Sequence, residues 1–275
     1  MSDRTGIGWT DATWNPVTGC SKVSPGCANC YAETLALTRL TGKPGYSGLP
    51  WTPENAEANV VLRPARLDQP LRWRAPRRVF VNSMSDLFHE RVPDGFIDRV
   101  FLVMGLARQH TFQVLTKRPE RMRDYCSDPA TIGRVASLMA EAAGRASLRV
   151  LIEPVHDGLS GLRLPNVWLG TSIENDRWVG RADDLRATPA VVRFISAEPL
   201  LGPLPSLDLA GIDWLIVGGE SGPGHRPMDP EWVRDLASKA DASGAALYVK
   251  QGAGAKAGRQ YSLPADLWER KEYPA

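Results

Sequence analysis

Histidine is scarce in this 275-residue chain: there are four (His89, His110, His156 and His225), and no two form an H-x3-H pair. Long apolar runs are missing as well. None approaches the roughly 18–20 residues that cross a bilayer, and the polar start MSDRTGIGWTDATWN lacks the charged-then-apolar layout of a secretory signal. The expectation is a cytoplasmic protein without membrane contact, where a disulfide framework has no place. An excess of one charge sign is absent too, because 33 Lys and Arg face 31 Asp and Glu and leave +2. Bulk electrostatics therefore argues for neither nucleic acid nor membrane. No low-complexity tract or long linker divides the chain, so residues 1–275 read as one domain.

What is present is a rhythm. Short β-branched and aromatic runs recur at 77–83 (RRVFVNS), 111–116 (TFQVLT), 166–172 (NVWLGTS), 191–197 (VVRFISA), 213–219 (DWLIVGG) and 246–251 (ALYVKQ), with a first one at 13–19 (TWNPVTG). Segments of helical period lie between most of them, at 93–109, 130–145 and 229–244. In the last of these, Asp229 is placed to cap the helix, Pro230 to open it and Gly244 to stop it. Alternation of this kind predicts an α/β fold with a parallel sheet. The nearest thing to a glycine-rich first turn, GGESGPG (218–224), follows a late strand and does not match G-x-G-x-x-G. We therefore expect a partial or complete (β/α) barrel rather than an open doubly wound sheet. Residues 41–78, rich in Pro, Gly, Trp and Arg, read as an insertion after the first helix.

The runs end in polar residues: Ser83, Ser85 and Asp86; Thr116-Lys117-Arg118; Ser172 and Glu174; Glu198; Glu220; Lys250-Gln251. The carboxyl ends of parallel strands are where α/β folds place their sites. The cysteines sharpen this. Cys20, Cys27 and Cys30 fall within eleven residues and Cys126 is remote. Cys27 and Cys30 have the C-x2-C spacing of a zinc knuckle, but a zinc site needs a fourth ligand, for which Cys126 is the candidate. An iron-sulfur cluster on three thiolates instead leaves one iron open to another molecule.

The C-x6-C-x2-C run followed by Tyr31, between a first strand and a first helix, resembles the radical S-adenosylmethionine superfamily, whose usual motif is C-x3-C-x2-C. The segments GWTDATWNPVTGC, VNSMSDLFHE, VLTKRPERM, WLGTSIEN, ISAEPLLGPL and IVGGESG resemble a phage-associated family of uncharacterised three-cysteine proteins. Leu115-Thr116-Lys117 is similar to a segment of spore photoproduct lyase and its DNA-repair relatives. The resemblance implies a 4Fe-4S cluster on Cys20, Cys27 and Cys30. It also implies S-adenosylmethionine chelating the open iron, and an electron from a flavodoxin- or ferredoxin-type donor that cleaves the sulfonium to methionine and a 5'-deoxyadenosyl radical.

Lys117 would then pair with the cofactor carboxylate, and Ser83, Ser85, Asp86 and Ser172 would complete the cofactor site. The Gly-Gly-Glu stretch that usually follows the second strand in that superfamily is absent there. Gly218-Gly219-Glu220 stands after a much later strand. Glu198 and Glu220 are expected to meet the ribose or the substrate as catalytic carboxylates.

Six arginines between 63 and 78, with Trp73 among them, and a second basic group at Lys117, Arg118, Arg121 and Arg123, suit phosphates and a stacked base. They point to a nucleic-acid or nucleotide substrate, with base modification or repair as the reaction. The competing reading is a non-enzymatic nucleic-acid-binding protein with structural zinc.

Overall fold

A computed structural model describes residues 5–143 and 161–275. His156 and the last two residues of the helix expected at 130–145 lie outside the described residues. The chain opens with two short strands, β1 (Ala12–Trp14) and β2 (Val17–Thr18), followed by helices α1 (Tyr31–Leu37) and α2 (Ala56–Asn59) and strand β3 (Val61–Leu62). A regular alternation follows: β4 (Arg78–Val81), α3 (Asp94–Leu106), β5 (Thr111–Thr116), α4 (Pro119–Ser127), α5 (Pro129–Ala143), β6 (Val167–Ser172), α6 (Arg181–Arg186), β7 (Val192–Ala197), β8 (Trp214–Gly218), α7 (Pro230–Ser243), β9 (Ala246–Gln251) and α8 (Ala265–Trp268).

Seven strands form one parallel sheet in the order β1-β4-β5-β6-β7-β8-β9, so every strand pairs with the next one of the sheet in the chain. A doubly wound sheet reverses its order part-way and thereby covers both faces with helices. This sheet never reverses. Connections of one hand then send all helices to one face, and the other face is enclosed by curling the sheet into a half-barrel. The α/β class and the partial barrel expected from the sequence are both present.

Strand alternation separates two cores. Val79, Val81, Phe112, Val114, Leu169, Ile195, Leu215, Val217, Leu247 and Val249 point outward and pack with Ile97, Phe101, Met104, Met122, Val233 and Leu236 of the helices. Phe80, Phe194, Trp214, Ile216 and Tyr248 point inward with Trp9. Trp9 meets Phe80 at 4.7 Å and Trp214 at 6.1 Å, and Trp214 meets Trp168 and Tyr273. These rings fill the amino-terminal end of the half-barrel. The opposite, carboxyl end stays open.

Two expectations need correction. The first run, 13–19, is two strands, because the chain turns at Asn15-Pro16 and only Ala12–Trp14 joins the main sheet. Residues 41–78 also do more than loop out: β3 returns to pair antiparallel with β2, and it anchors the chain that leads into the cysteines.

Candidate functional site at the carboxyl mouth

The cysteine loop starts at Gly19, whose φ of +83° only glycine adopts easily and where a Cβ would lie 1.8 Å from the Asn59 carbonyl oxygen. Cys20 follows. Cys27 closes a 3-10 turn over Pro25–Cys27, and Cys30 caps α1. All three are free and line one cavity of about 160 Å3 that also takes in Asn82, Asp86, Lys117, Arg118 and Ser172. Cys126 is wholly buried in α4, packed in the outer core, and lines neither this cavity nor the larger one beside it. Among the described residues, no three His, Cys, Asp or Glu side chains meet closely enough to hold a metal ion.

Two strand ends clamp the loop. Glu174, just past β6 and fully buried, accepts from Ser24 Oγ at 2.6 Å, and it pairs with Lys117 Nζ at 3.0 Å and Arg181 Nη1 at 3.2 Å. Burial pushes its carboxyl up, but the two cations and the Ser24 hydroxyl outweigh this and hold it below its ordinary value. Gly26 passes so close that a Cβ there would meet the Glu174 side chain at 2.5 Å. Past β8, Glu220 accepts from Asn29 Nδ2 at 2.9 Å and pairs with Arg226, whose Nη2 also donates to the Pro25 carbonyl at 3.1 Å.

Beside β4 the expected residues divide. Asp86 accepts from Phe88 N, Thr116 Oγ1, Lys117 N and Arg118 Nη1 between 2.7 and 3.2 Å. Its acceptor positions are taken, so it builds the site instead of offering itself to a ligand. Ser85 Oγ donates to the Val17 carbonyl at 2.8 Å. Ser83 exchanges hydrogen bonds with the Asn15 side chain, and its carbonyl accepts from Tyr31 at 2.6 Å. Asn82 is different. It is 3% exposed and lines the cysteine cavity, and neither amide atom has a hydrogen-bond partner among the described residues. An unpaired buried amide is costly, on the order of 1–3 kcal/mol, and this one faces the cysteine cavity.

The second cavity, about 440 Å3, shares Cys27, Cys30, Leu115, Lys117 and Ser172 with the first. Its floor is Trp9 and Phe80, and its far wall carries Ser196, Glu198, Glu220 and Lys250 from the ends of β7 to β9. Glu198 and Lys250 form an ion pair. The structure therefore gathers Cys20, Cys27, Cys30, Lys117, Ser172, Glu198 and Glu220 at one mouth, as the strand-end pattern implied. Arg118, Glu174 and Lys250 stood among the polar strand ends without an assigned role, and Asn82 and Arg181 were missed as site residues. Glu174 and Lys250 carry the same strand-end signal, whereas nothing in the sequence marks Asn82 as unpaired.

The basic stretches lie elsewhere or are internally engaged. Arg78 opens β4 at the end away from the cavities and binds Asp11. Arg63 donates to Thr18 and to the Pro44 carbonyl, Arg66 to the Asn15 carbonyl, and Arg72 pairs with Asp68. Arg118, Arg121 and Arg123 bind Asp86, Asp94 and Asp184. Arg63, Arg66, Arg72, Arg78, Arg118, Arg121 and Arg123 thus each have a partner within the chain.

A family model described as "Protein of unknown function (DUF5131)" matches residues 4–267. The chain belongs to this family. No curated protein and no solved structure matches the chain.

Proposed function

We propose that the protein is a radical S-adenosylmethionine enzyme in which Cys20, Cys27 and Cys30 hold a 4Fe-4S cluster. The observation that carries this reading is that these three thiols, and not Cys126, surround one cavity at the open mouth of a curled parallel sheet. A single zinc ion draws its donors to one point, whereas a cuboidal cluster takes three thiolates at separate corners around a space. Three thiols on one cavity, with Cys126 buried elsewhere, suit a cluster with one open iron better than a four-donor zinc site. When bound, cluster and S-adenosylmethionine would supply reductive cleavage of the sulfonium, with one electron from a flavodoxin- or ferredoxin-type donor.

The chain's own residues have distinct tasks in this reading. Asn82 offers an unpaired donor and acceptor to the amino-acid end of the cofactor. Lys117, steadied by Glu174, offers a cation to its carboxylate. Ser172 lines both cavities, and Trp9 and Phe80 close the floor against water. Glu198 and Lys250 place an acceptor and a donor side by side on the far wall, an edge that suits the adjacent N–H and C=O of a nucleobase. A nucleotide-sized substrate follows, with base modification as the reaction class.

The test is anaerobic purification, metal and sulfide analysis, then dithionite and S-adenosylmethionine. About four irons per chain and release of 5'-deoxyadenosine are expected. Stoichiometric zinc, no iron and no nucleoside would overturn the reading. Ala at Cys20, Cys27 or Cys30 is expected to abolish cleavage, and Cys126→Ala to leave the iron content unchanged.

A further inference from the structure

Arg118 spends nearly all of its guanidinium on one corner of the cysteine loop. Its Nη1 lies 3.7 Å from Cys20 Sγ and 3.2 Å from Asp86 Oδ2. Its Nη2 donates to Ser21 Oγ at 3.0 Å and to the Ser21 carbonyl at 3.4 Å, and its Nε to Glu90 Oε2 at 2.9 Å. The side chain is 11% exposed. His89 buttresses the same corner. Its Nδ1 accepts from Arg91 N at 3.1 Å, which leaves the proton on Nε2, 2.9 Å from Ser21 Oγ. That tautomer cannot take a proton from Ser21, so the Ser21–His89 pair holds the loop and is no nucleophile–base couple.

Among the described residues, Cys20 is the proposed ligand with a charged donor on its sulfur. Cys27 Sγ lies 3.9 Å from the neutral Ser24 hydroxyl, and Cys30 faces the backbone N–H groups of Ala32 and Glu33. We infer that Arg118 is a positioning residue that sets the reduction potential of the cluster proposed above, through a charge-assisted N–H···S hydrogen bond to the Cys20 thiolate. The inference rests on the cluster reading.

Reduction takes one electron from an external donor, and the added negative charge spreads partly onto the ligand sulfurs. A cation bonded to one sulfur stabilises the reduced state more than the oxidised state, and hydrogen bonds to the sulfurs are among the factors that set such potentials. Asp86 works against it at the same nitrogen, because its Oδ2 takes the Nη1 that also faces Cys20 Sγ. Glu90 is 62% exposed and so screened by solvent. Removing Arg118 would leave Asp86 unopposed beside Cys20; removing the Asp86 charge would leave Arg118 unopposed. The two changes should move the potential in opposite directions.

The experiment is an EPR-monitored redox titration of the anaerobically reconstituted full-length wild type, Arg118→Gln, Arg118→Lys and Asp86→Asn, with iron and sulfide counted in each. Arg118→Gln is expected to shift the one-electron equilibrium at least tenfold toward the oxidised cluster, about 59 mV, at an unchanged iron count. Arg118→Lys should fall between it and the wild type, and Asp86→Asn should shift the other way. Full clusters with unchanged midpoints in Arg118→Gln and Asp86→Asn would overturn the inference. Should Arg118→Gln lose iron, the lysine and asparagine variants decide in the same way. A wild type without iron would overturn the cluster reading itself, and the iron count separates that failure from the other.

Discussion

At the scale of single residues, the site is built from groups whose partners are nearly all internal, with the Asn82 amide as an exception. Lys117 keeps Glu174 as its partner, so Lys117→Ala leaves that buried carboxylate with Arg181 and Ser24 alone. Weaker S-adenosylmethionine binding with the cluster still assembled is the expected outcome of a binding titration, and equal affinity would place the lysine's work elsewhere. His89 gives a stability prediction. Burial and then Arg118 lower its pKa from 6.5 to about 4, against the pull of Glu90 and Asp86, with Arg121 opposing them. Between those values the unfolded chain binds the extra proton. Stability is therefore full above about 6.5 and falls as pH drops toward 4. Urea midpoints measured across that range should decline in the wild type and decline less in His89→Gln. Of these residues, the cysteines and Lys117 were legible because their spacing and strand-end position are properties of sequence. Asn82 was not, since a missing partner is a property of the packed structure.

Elements were legible where local chemistry is strong. Strands β5 and β9 have the bounds expected, and α7 is capped as expected, with Asp229 accepting from Glu231 N at 2.9 Å and Gly244 at φ 76°. The cysteine loop was not legible as a shape, because its path is set by Glu174 and Glu220, some 150 to 190 residues away in sequence. That difference is testable with two glycines. At Gly26 an added methyl meets Glu174, which three partners hold in place, so Gly26→Ala should destabilise by about 1–3 kcal/mol. At Gly180 nothing lies within 4 Å and φ is −56°, so Gly180→Ala should be neutral or stabilising by up to about 1 kcal/mol. Denaturant midpoints of the two variants are the measurement, and similar values would mean that Glu174 does not fix the loop.

At the scale of the molecule, strand order decides where a ligand can enter. A sheet that never reverses has one helix-covered face and one enclosed face, so access is left at the ends, and the aromatic plug around Trp9 and Trp214 closes one of them. Charge was the least legible property at this scale, because a run of arginines in sequence says nothing about which of them already have partners. With Arg63, Arg72, Arg78, Arg118, Arg121 and Arg123 engaged internally, most of the two basic stretches would have to give up a partner to displace counterions from a polymer. A protein making six to ten phosphate contacts loses roughly 10³- to 10⁵-fold in affinity between 50 and 200 mM salt. Here, DNA or RNA binding measured over that range should be weak and change by less than about tenfold. A loss in the larger range would mean that the arginines leave their internal partners for phosphate, and would turn the substrate from a nucleotide-sized molecule to a strand.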